Sequence, residues 1–270
     1  MNYDIQLEKI DGKLKEILEY KVLELEKRKN ELPLAKILVA LENDNCTIRD
    51  FVSALSKPNQ IVLIAEVKKA SPSLGDINIQ VNVVEQAKKY EKAGADVISV
   101  LTDTKFFKGD ISFLQQIKEV VDVPILRKDF IFDAYQIYES KHYGADAILL
   151  MATILPLEFL IELVNLTHGL GMKCLLEVHT AQDMVKALQT KAKVIGINAR
   201  DLSTFKVDLQ NVINLAGQVP ADRILIAESG VETKNDVFKL KQVGAQGILV
   251  GTTLMQAHNV AEKIKELKLL

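Results

Sequence analysis

The feature that most constrains this chain is an alternation of eight short apolar runs with longer amphipathic segments, beginning near residue 61. Each run is rich in Val, Ile and Leu, as strands of a helix-covered parallel sheet are. The runs are IVLIAEV, DVISVL, PILRK, AILLM, KCLLEV, VIGIN, RILIAE and GILV. They start near residues 61, 97, 124, 147, 173, 194, 223 and 247. The spacing of about 27 residues suits one strand and one helix per unit.

A faint internal repeat supports the same units. The segments AGADVISV, YGADAILL and VGAQGILV place Gly94, Gly144 and Gly244 at equivalent positions, 50 and then 100 residues apart. Each glycine suits the left-handed position at which a helix ends and the chain turns into the next strand. Eight such units predict a closed (β/α)₈ barrel, the TIM barrel, and an open doubly wound sheet is the weaker alternative.

The first 58 residues have a different texture and indicate helices. Leu7, Ile10, Leu14, Ile17 and Leu18 recur at helical spacing among Lys and Glu residues. The charged segment KVLELEKRKN that follows is interpreted as a solvated helix face, with a partner-binding helix as the alternative. We therefore predict one domain over residues 1–270, in which residues 1–58 form an N-terminal helical extension of the barrel.

Composition excludes several classes of partner. The formal net charge is −2, so there is no basic excess that would indicate nucleic-acid binding. Cys46 and Cys174 are too few for a disulfide framework or a cysteine-based zinc site. The start, MNYDIQLEKIDGK, lacks an apolar signal core, and no apolar run approaches the length of a membrane span. We expect a cytoplasmic protein, a monomer or weak homo-oligomer, with no nucleic-acid or membrane partner.

Polar side chains end the odd-numbered strands, where the active sites of such barrels lie. In the first strand, Glu66 and Lys68 follow Val62 and Ile64 on one face, because successive strand residues alternate faces. Burying those charges costs roughly several kcal/mol unless they are paired. Strands 3, 5 and 7 of the predicted barrel end in Lys128, Glu177 and Glu228, and strand 6 ends in the amide of Asn198. One charged strand end is more often structural, but the whole group predicts a convergent pocket.

The last two strands end in small and hydroxyl-bearing residues. The segment ESGVET supplies Ser229 and Gly230, and VGTTLM supplies Gly251, Thr252 and Thr253 before an apolar helix. Glycine lets backbone N–H groups approach an anion, and a helix N-terminus favours negative charge. Because phosphate often binds after these two strands of a barrel, we predict a phosphate site here.

Metal and dinucleotide sites are not expected. The four histidines are scattered along the chain: His142, His168, His179 and His258. There is no HExxH motif or close pair, and no GxGxxG motif follows a strand. The loop after the second strand carries Phe106 and Phe107, and Phe130 follows Lys128. These phenyl rings suit either a core or the wall of an aromatic ligand site.

Together the segments resemble the indole-3-glycerol-phosphate synthase family of tryptophan biosynthesis. The similar segments, in the family's order, are IAEVKKASPSLG, SVLTD, FFKG, PILRKDFI, ADAILL, LLEVH, IGINARDL, IAESGV and LVGTTLM. The N-terminal helical extension is also similar to the family's. One departure is Ala199, at a position often occupied by Asn, although the neighbouring Asn198 and Arg200 match.

The resemblance implies a decarboxylating lyase that needs no metal or organic cofactor. Its substrate would be 1-(2-carboxyphenylamino)-1-deoxyribulose 5-phosphate, and its products indole-3-glycerol phosphate, CO₂ and water. Lys128 would be the general acid at the ketone, Glu177 would act in proton transfer, and Lys68, paired with Glu66, would assist dehydration or bind the substrate. The other implied substrate contacts are Asn198 and Glu228 for orientation, Ser229, Gly230, Gly251 and Thr252 for the phosphate, Ser71, Phe107, Phe130 and Leu149 for the aromatic ring, and Arg200.

Rival functions could use the same barrel. A Schiff-base aldolase would also use a strand lysine, and borohydride would trap its substrate on Lys128 or Lys68. A non-catalytic sugar-phosphate-binding barrel would bind its ligand without turnover, but it would have no use for the full set of acids and bases. A phosphoribosylanthranilate isomerase shares the barrel and the phosphate site, yet its motifs fit this chain less well.

Overall fold

Eight parallel strands close into a barrel in the computed structural model, which describes residues 5, 7, 10–43, 47–202, 204 and 206–270. The strands are β1 (Val62–Val67), β2 (Val97–Leu101), β3 (Ile125–Lys128), β4 (Ala147–Met151), β5 (Lys173–Val178), β6 (Val194–Asn198), β7 (Ile224–Glu228) and β8 (Gly247–Val250). Neighbours in the chain pair with each other, and β8 pairs with β1 to close the ring. Each strand begins within one residue of its predicted start. The predicted (β/α)₈ barrel is confirmed, and the open doubly wound sheet is wrong.

Helices separate the strands and also precede them. Before the barrel lie α1 (Gly12–Glu31), α2 (Leu34–Glu42) and α3 (Phe51–Leu55). The helices that follow successive strands are α4 (Val83–Lys92), α5 (Ser112–Lys118), α6 (Ala134–His142), α7 (Leu157–Gly169), α8 (Ala181–Leu188), α9 (Leu209–Ala216), α10 (Lys234–Gln242) and, after β8, α11 (Thr252–Met255) and α12 (Val260–Leu267). A short antiparallel hairpin, Ala70–Ser71 with Gly75–Asp76, follows β1 and carries the Ser-Pro-Ser turn.

The three repeat glycines end α4, α6 and α10 as predicted. Gly94, Gly144 and Gly244 have φ angles of +101°, +84° and +94°. This left-handed region is costly for residues with a Cβ atom, which explains the glycine at each position.

Apolar residues fill the barrel beneath the polar strand ends. Ile64, Leu126, Leu175 and Ile226 are fully buried, and each lies two residues before a charged strand end. Two-residue periodicity therefore places the charged groups one layer above the core, on the same inward face.

Helix α1 contributes an apolar stripe to this core. Leu14, Ile17 and Leu18 are buried on it, as predicted. Both Leu7, which is 3₁₀-helical, and Ile10 lie before α1; the helical prediction was wrong for Ile10, although its side chain is buried. Apolar residues before α1 therefore add to the core although they are not part of that helix.

The interpretation of KVLELEKRKN as a solvated face is wrong for Lys21, which is 2% exposed. Its Nζ atom lies 2.9 Å from Asp103 Oδ2 and 2.9 Å from Asp129 Oδ1, and both carboxylates belong to barrel loops. Two turns further along α1, Arg28 Nη1 lies 3.0 Å from Glu139 Oε2 on α6. The charged face of α1 is thus ion-paired to the barrel.

The only cysteine in the part of the chain that the structure describes, Cys174, is a buried thiol whose pKa burial raises to about 12. Cys46 lies outside the described residues. Within the described ranges, no group of three or more His, Cys, Asp or Glu side chains is arranged to hold a metal ion. No helix of those ranges has both the length and the apolar character needed to cross a membrane.

Candidate active site

A cavity of about 990 Å³ opens at the carboxyl ends of the strands. Every site residue predicted from the sequence lines it: Glu66, Lys68, Ser71, Phe107, Lys128, Phe130, Leu149, Glu177, Asn198, Arg200, Glu228, Ser229, Gly230, Gly251 and Thr252. Because the strands converge at this end of the barrel, residues more than a hundred positions apart in the chain become neighbours.

Lys128 lies between two carboxylates at the floor of the cavity. Its Nζ atom is 3.2 Å from Glu177 Oε2 on β5 and 3.0 Å from Glu228 Oε2 on β7. The two glutamates are nearly fully buried, whereas Lys128 keeps partial access to the cavity. These two contacts fix the position of the ammonium, so that it presents a positive charge to a ligand in the cavity.

The three groups have different proton affinities. Burial alone would lower the pKa of Lys128, but the charges of Glu228, Glu177 and Glu66 outweigh it and raise that pKa. Burial likewise opposes ionisation of Glu177, yet Lys128 and the hydrogen bond from His179 hold its pKa well below the usual range. Burial, with the charge of Glu177 nearby, raises the pKa of Glu228 to about 8. At neutral pH the pair is thus asymmetric, with Glu177 ionised and Glu228 protonated.

This asymmetry predicts a pH dependence of stability. Between about pH 4.5 and pH 8 the folded protein holds a proton on Glu228 that the unfolded chain releases. Rising pH therefore destabilises the wild type through Glu228 across this window, and above it the effect is constant. We expect the free energy of unfolding of Glu228→Gln to rise relative to wild type as pH increases from 5 to 8, as measured by urea denaturation. Parallel pH profiles for the two proteins would contradict the assignment.

Gly196 on β6 makes room for Glu228, a role that the sequence analysis missed. A Cβ atom at position 196 would collide with Glu228 Oε1 and would lie 3.1 Å from Leu175 Cδ1. The signal in the sequence was a glycine between β-branched residues inside a strand, VIGIN, which marks a close approach of another group.

Glu66 and Lys68 form a second ion pair at the end of β1. Lys68 Nζ lies 2.9 Å from Glu66 Oε1. A Cβ atom at Gly251 would collide with Glu66 Oε1 and would lie 3.1 Å from Lys68 Nζ. The glycine therefore lets the start of α11 approach this pair closely, and it brings the ammonium of Lys68 to the predicted phosphate site.

The predicted phosphate residues meet at the ends of β7 and β8. Ser229 and Gly230 both have positive φ angles, +67° and +75°, so the backbone turns sharply there. Gly251 is the N-cap of the short helix α11, which begins at Thr252. The hydroxyl of Thr253 already has a partner within the protein, because it donates to the carbonyl oxygen of Val231 at 2.9 Å.

An apolar wall faces these polar groups. The rings of Phe107 and Phe130 have centroids 6.2 Å apart and are tilted by 43°. Leu14 and Ile17 of α1 also line the cavity, which the sequence analysis did not predict. The apolar stripe in the sequence predicted that Leu14 and Ile17 would be buried, but not that they would be buried against the cavity.

Asn198 and Arg200 are joined through the loop after β6. Asn198 Oδ1 accepts a hydrogen bond from the backbone N–H of Arg200 at 2.9 Å. Arg200 Nη1 donates to Ser73 Oγ at 3.3 Å, across the cavity mouth. Between them, Ala199 is buried, and its N–H donates to the carbonyl oxygen of Glu228 at 2.8 Å. The departure from the family pattern at Ala199 thus lies at a position whose backbone joins β6 to β7.

His179, discounted in the sequence analysis as scattered, lies against Glu177. Its Nε2 atom is 2.7 Å from Glu177 Oε1. Glu177 lies on β5, and His179 is the first residue after that strand. One residue separates them, a spacing that places both side chains on the same side of an extended chain.

Comparison with known proteins gives a consistent result. The family model described as "Indole-3-glycerol phosphate synthase" matches residues 14–267. The protein of that name from Endomicrobium trichonymphae is 47% identical over 229 residues, covering 85% of this chain and 88% of that relative. The one from Alkaliphilus metalliredigens is 43% identical over 255 residues, covering 94% and 97%. A solved 3-hexulose-6-phosphate synthase from Salmonella typhimurium has a TM-score of 0.63 at 12% identity, covering 77% of this chain and 97% of its own, a likeness of fold alone.

Proposed function

The chain belongs to the indole-3-glycerol phosphate synthase family, and we propose that the side chains lining the cavity at the strand ends carry out the steps of the synthase reaction. The enzyme converts 1-(2-carboxyphenylamino)-1-deoxyribulose 5-phosphate to indole-3-glycerol phosphate, with loss of CO₂ and water. The observation that carries the proposal is the ammonium of Lys128, held between Glu177 and Glu228 at the cavity floor.

Substrate binding uses the two ends of the cavity. The phosphate would be held by the backbone N–H groups of Gly230 and Gly251, the hydroxyls of Ser229 and Thr252, and the charge of Lys68. The carboxyphenyl ring would lie against the apolar wall, which is formed by Phe107, Phe130 and Leu149 with Ser71 at its edge. Asn198 and Arg200 lie between these ends, where they would orient the sugar chain and the carboxylate. Binding both ends would direct the ketone toward Lys128.

Ring closure needs an acid at the ketone. A carbon of the aromatic ring attacks the carbonyl carbon, and the electron pair of the C=O bond moves onto oxygen. Lys128 stabilises that developing negative charge and gives it a proton. Glu228, protonated at neutral pH and 3.0 Å from Lys128 Nζ, returns a proton to the amine.

The two leaving steps follow from the cation that ring closure creates. The carboxylate leaves as CO₂, and the electron pair of the broken C–C bond neutralises the ring system. Dehydration then needs an acid for the departing hydroxyl group and a base for the proton lost from the ring. We assign these roles to Lys128 and to the ionised Glu177, with the Glu66–Lys68 pair holding the phosphate end. One proton per turnover comes from solvent, because a carboxylate leaves as neutral CO₂.

The electrostatics disfavour a Schiff-base aldolase. A lysine that attacks a carbonyl needs a lowered pKa so that its amine is neutral. At Lys128 the surrounding carboxylates raise the pKa instead. Borohydride treatment with substrate should therefore leave Lys128 and Lys68 unmodified, as judged by the intact mass of the protein.

The decisive test is turnover followed by indole fluorescence. The chain contains no Trp, so indole emission after addition of the carboxyphenylamino-deoxyribulose phosphate will stand out against the protein's own signal. We expect emission to grow with time and CO₂ to be released in equal amount. A protein that binds this substrate, as measured by calorimetry, yet stays dark would be a binding barrel rather than a synthase.

We also propose that the enzyme acts in the cytoplasm as a monomer or a weak homo-oligomer. The support for a monomer is that the site residues predicted from the sequence all meet in the cavity of a single chain. Sedimentation at several protein concentrations tests the oligomeric state.

A further inference from the structure

His179 is a buried titratable side chain that the reaction outlined above does not use. Its side chain is 7% exposed, and both ring nitrogens have partners. Nε2 lies 2.7 Å from Glu177 Oε1, and Nδ1 lies 3.0 Å from the carbonyl oxygen of Arg200. The backbone on either side is also held, since the N–H of His179 donates to Asp183 Oδ2 at 3.1 Å and its carbonyl accepts from Asn211 Nδ2 at 3.1 Å.

The two contacts of the ring determine how many protons it shares. A carbonyl oxygen can only accept, so Nδ1 must carry a hydrogen and donate it to Arg200. A neutral imidazole would then have a bare lone pair at Nε2, facing an oxygen of Glu177. The 2.7 Å contact therefore requires one further proton, held either by His179 as an imidazolium or by Glu177 as a carboxylic acid.

The charges around the pair place that proton on His179. Burial alone would lower the pKa of His179, but the hydrogen bond and charge of Glu177, the carbonyl of Arg200 and the charge of Asp183 on α8 outweigh it and raise that pKa. On the other side, Lys128 contacts the second oxygen of Glu177 at 3.2 Å and favours the carboxylate. Glu177 thus lies between two cations, one on each oxygen.

We propose that His179 is a positioning residue of the synthase reaction, an imidazolium that fixes Glu177 and keeps it ionised for proton transfer beside Lys128. The proposal rests on the proposed role of Glu177 as the base in dehydration. Without His179, one oxygen of a buried carboxylate would lose its partner, the pKa of Glu177 would rise, and its carboxylate would be able to rotate. The consequence is a slower chemical step with little change in substrate binding, because His179 itself does not line the cavity.

The charge state can be measured directly in the resting enzyme. With ¹⁵N-labelled histidine, we expect one of the four imidazole rings to keep both nitrogens protonated at neutral pH and above, and its signals to disappear from the spectrum of His179→Asn. In Glu177→Gln the ring should become neutral at lower pH, because the carboxylate that stabilises the imidazolium is gone. A His179 ring that is neutral at pH 7 in the wild type would overturn the proposal.

Kinetics separate a positioning role from a purely structural one. His179→Asn should lower kcat by about 10- to 100-fold, the loss expected for one hydrogen bond to a charged group, while KM changes by less than about threefold. The acid limb of the kcat profile should move to higher pH, because Glu177 then takes up a proton more readily. The matched control is His168→Asn in the last turn of α7, which should leave kcat and the profile unchanged.

The two proposals can fail separately. If the wild type gives no indole emission but the ¹⁵N signals behave as expected, the reaction is wrong and the charge state stands. If His179→Asn loses thermal stability but its acid limb stays in place, His179 is structural and the positioning role is wrong.

Discussion

Lys128→Met is expected to lower kcat for indole formation by about 10³-fold, the magnitude typical of removing a group that both stabilises and protonates a developing oxyanion. Methionine fills a similar volume but carries no charge and no transferable proton. The Nζ atom of Lys128 contacts both Glu177 and Glu228, so its loss would also leave two buried carboxyl groups without their shared cation. Initial rates from indole emission, at saturating substrate, check the prediction.

A matched substitution at Lys69 controls for the loss of a strand-end lysine. Lys69 follows Lys68, but its ammonium lies over the ring of Phe113, 4.9 Å from the centroid. Lys69→Met should retain kcat within about twofold. Lys128→Arg adds a second comparison, since arginine keeps the charge but does not give up its proton at neutral pH, and it should remain nearly inactive. A Lys128→Met enzyme with more than about a tenth of wild-type kcat would contradict the assignment of the acid.

Lys21→Met is expected to destabilise the protein by about 3–5 kcal/mol, the cost of removing one partner from a buried ion pair. Asp103 Oδ2 and Asp129 Oδ1 each lie 2.9 Å from Lys21 Nζ and would be left as buried, mutually repelling charges. We expect the midpoint of urea denaturation to fall accordingly. The same substitution would test whether α1 and the barrel form the single domain that we propose.

Substrate binding should weaken in the same variant, because both carboxylates also hold loops of the apolar wall. Asp103 Oδ1 accepts hydrogen bonds from the N–H groups of Phe106 and Phe107, at 2.7 and 3.2 Å. Asp129 Oδ1 accepts from the N–H of Phe130 at 2.8 Å. We therefore expect KM to rise more than kcat falls, since Lys21 lies outside the reacting layer.

Lys27→Met on the same helix is the control. Lys27 is largely exposed, and its Nζ atom lies 3.6 Å from an equally exposed Glu31. Such a surface pair contributes about 0–1 kcal/mol, so the midpoint should hardly move. If Lys21→Met cost no more than Lys27→Met, the ion pairs of Lys21 would not stabilise the fold.

Individual residues show where the sequence was informative. Glu66 and Lys128 were found because a charge that follows buried residues on one strand face is costly and therefore conspicuous. Lys21 was misread as solvated, because a lysine on a charged helix is ordinarily exposed, and its partners come from distant loops. His179 was discounted because the four histidines form no metal-binding motif, a criterion that does not reveal a hydrogen bond to Glu177 two residues earlier.

The sequence by itself determined the barrel and the polar strand ends that meet in the cavity. These follow from patterns that repeat every two residues within strands and about every 27 residues between units. Only the tertiary structure decided which side chains meet and where their protons lie. Closure of the barrel sets the distances among Lys128, Glu177, Glu228 and His179, and the proton affinity of a buried group depends on those neighbours and on the water they exclude.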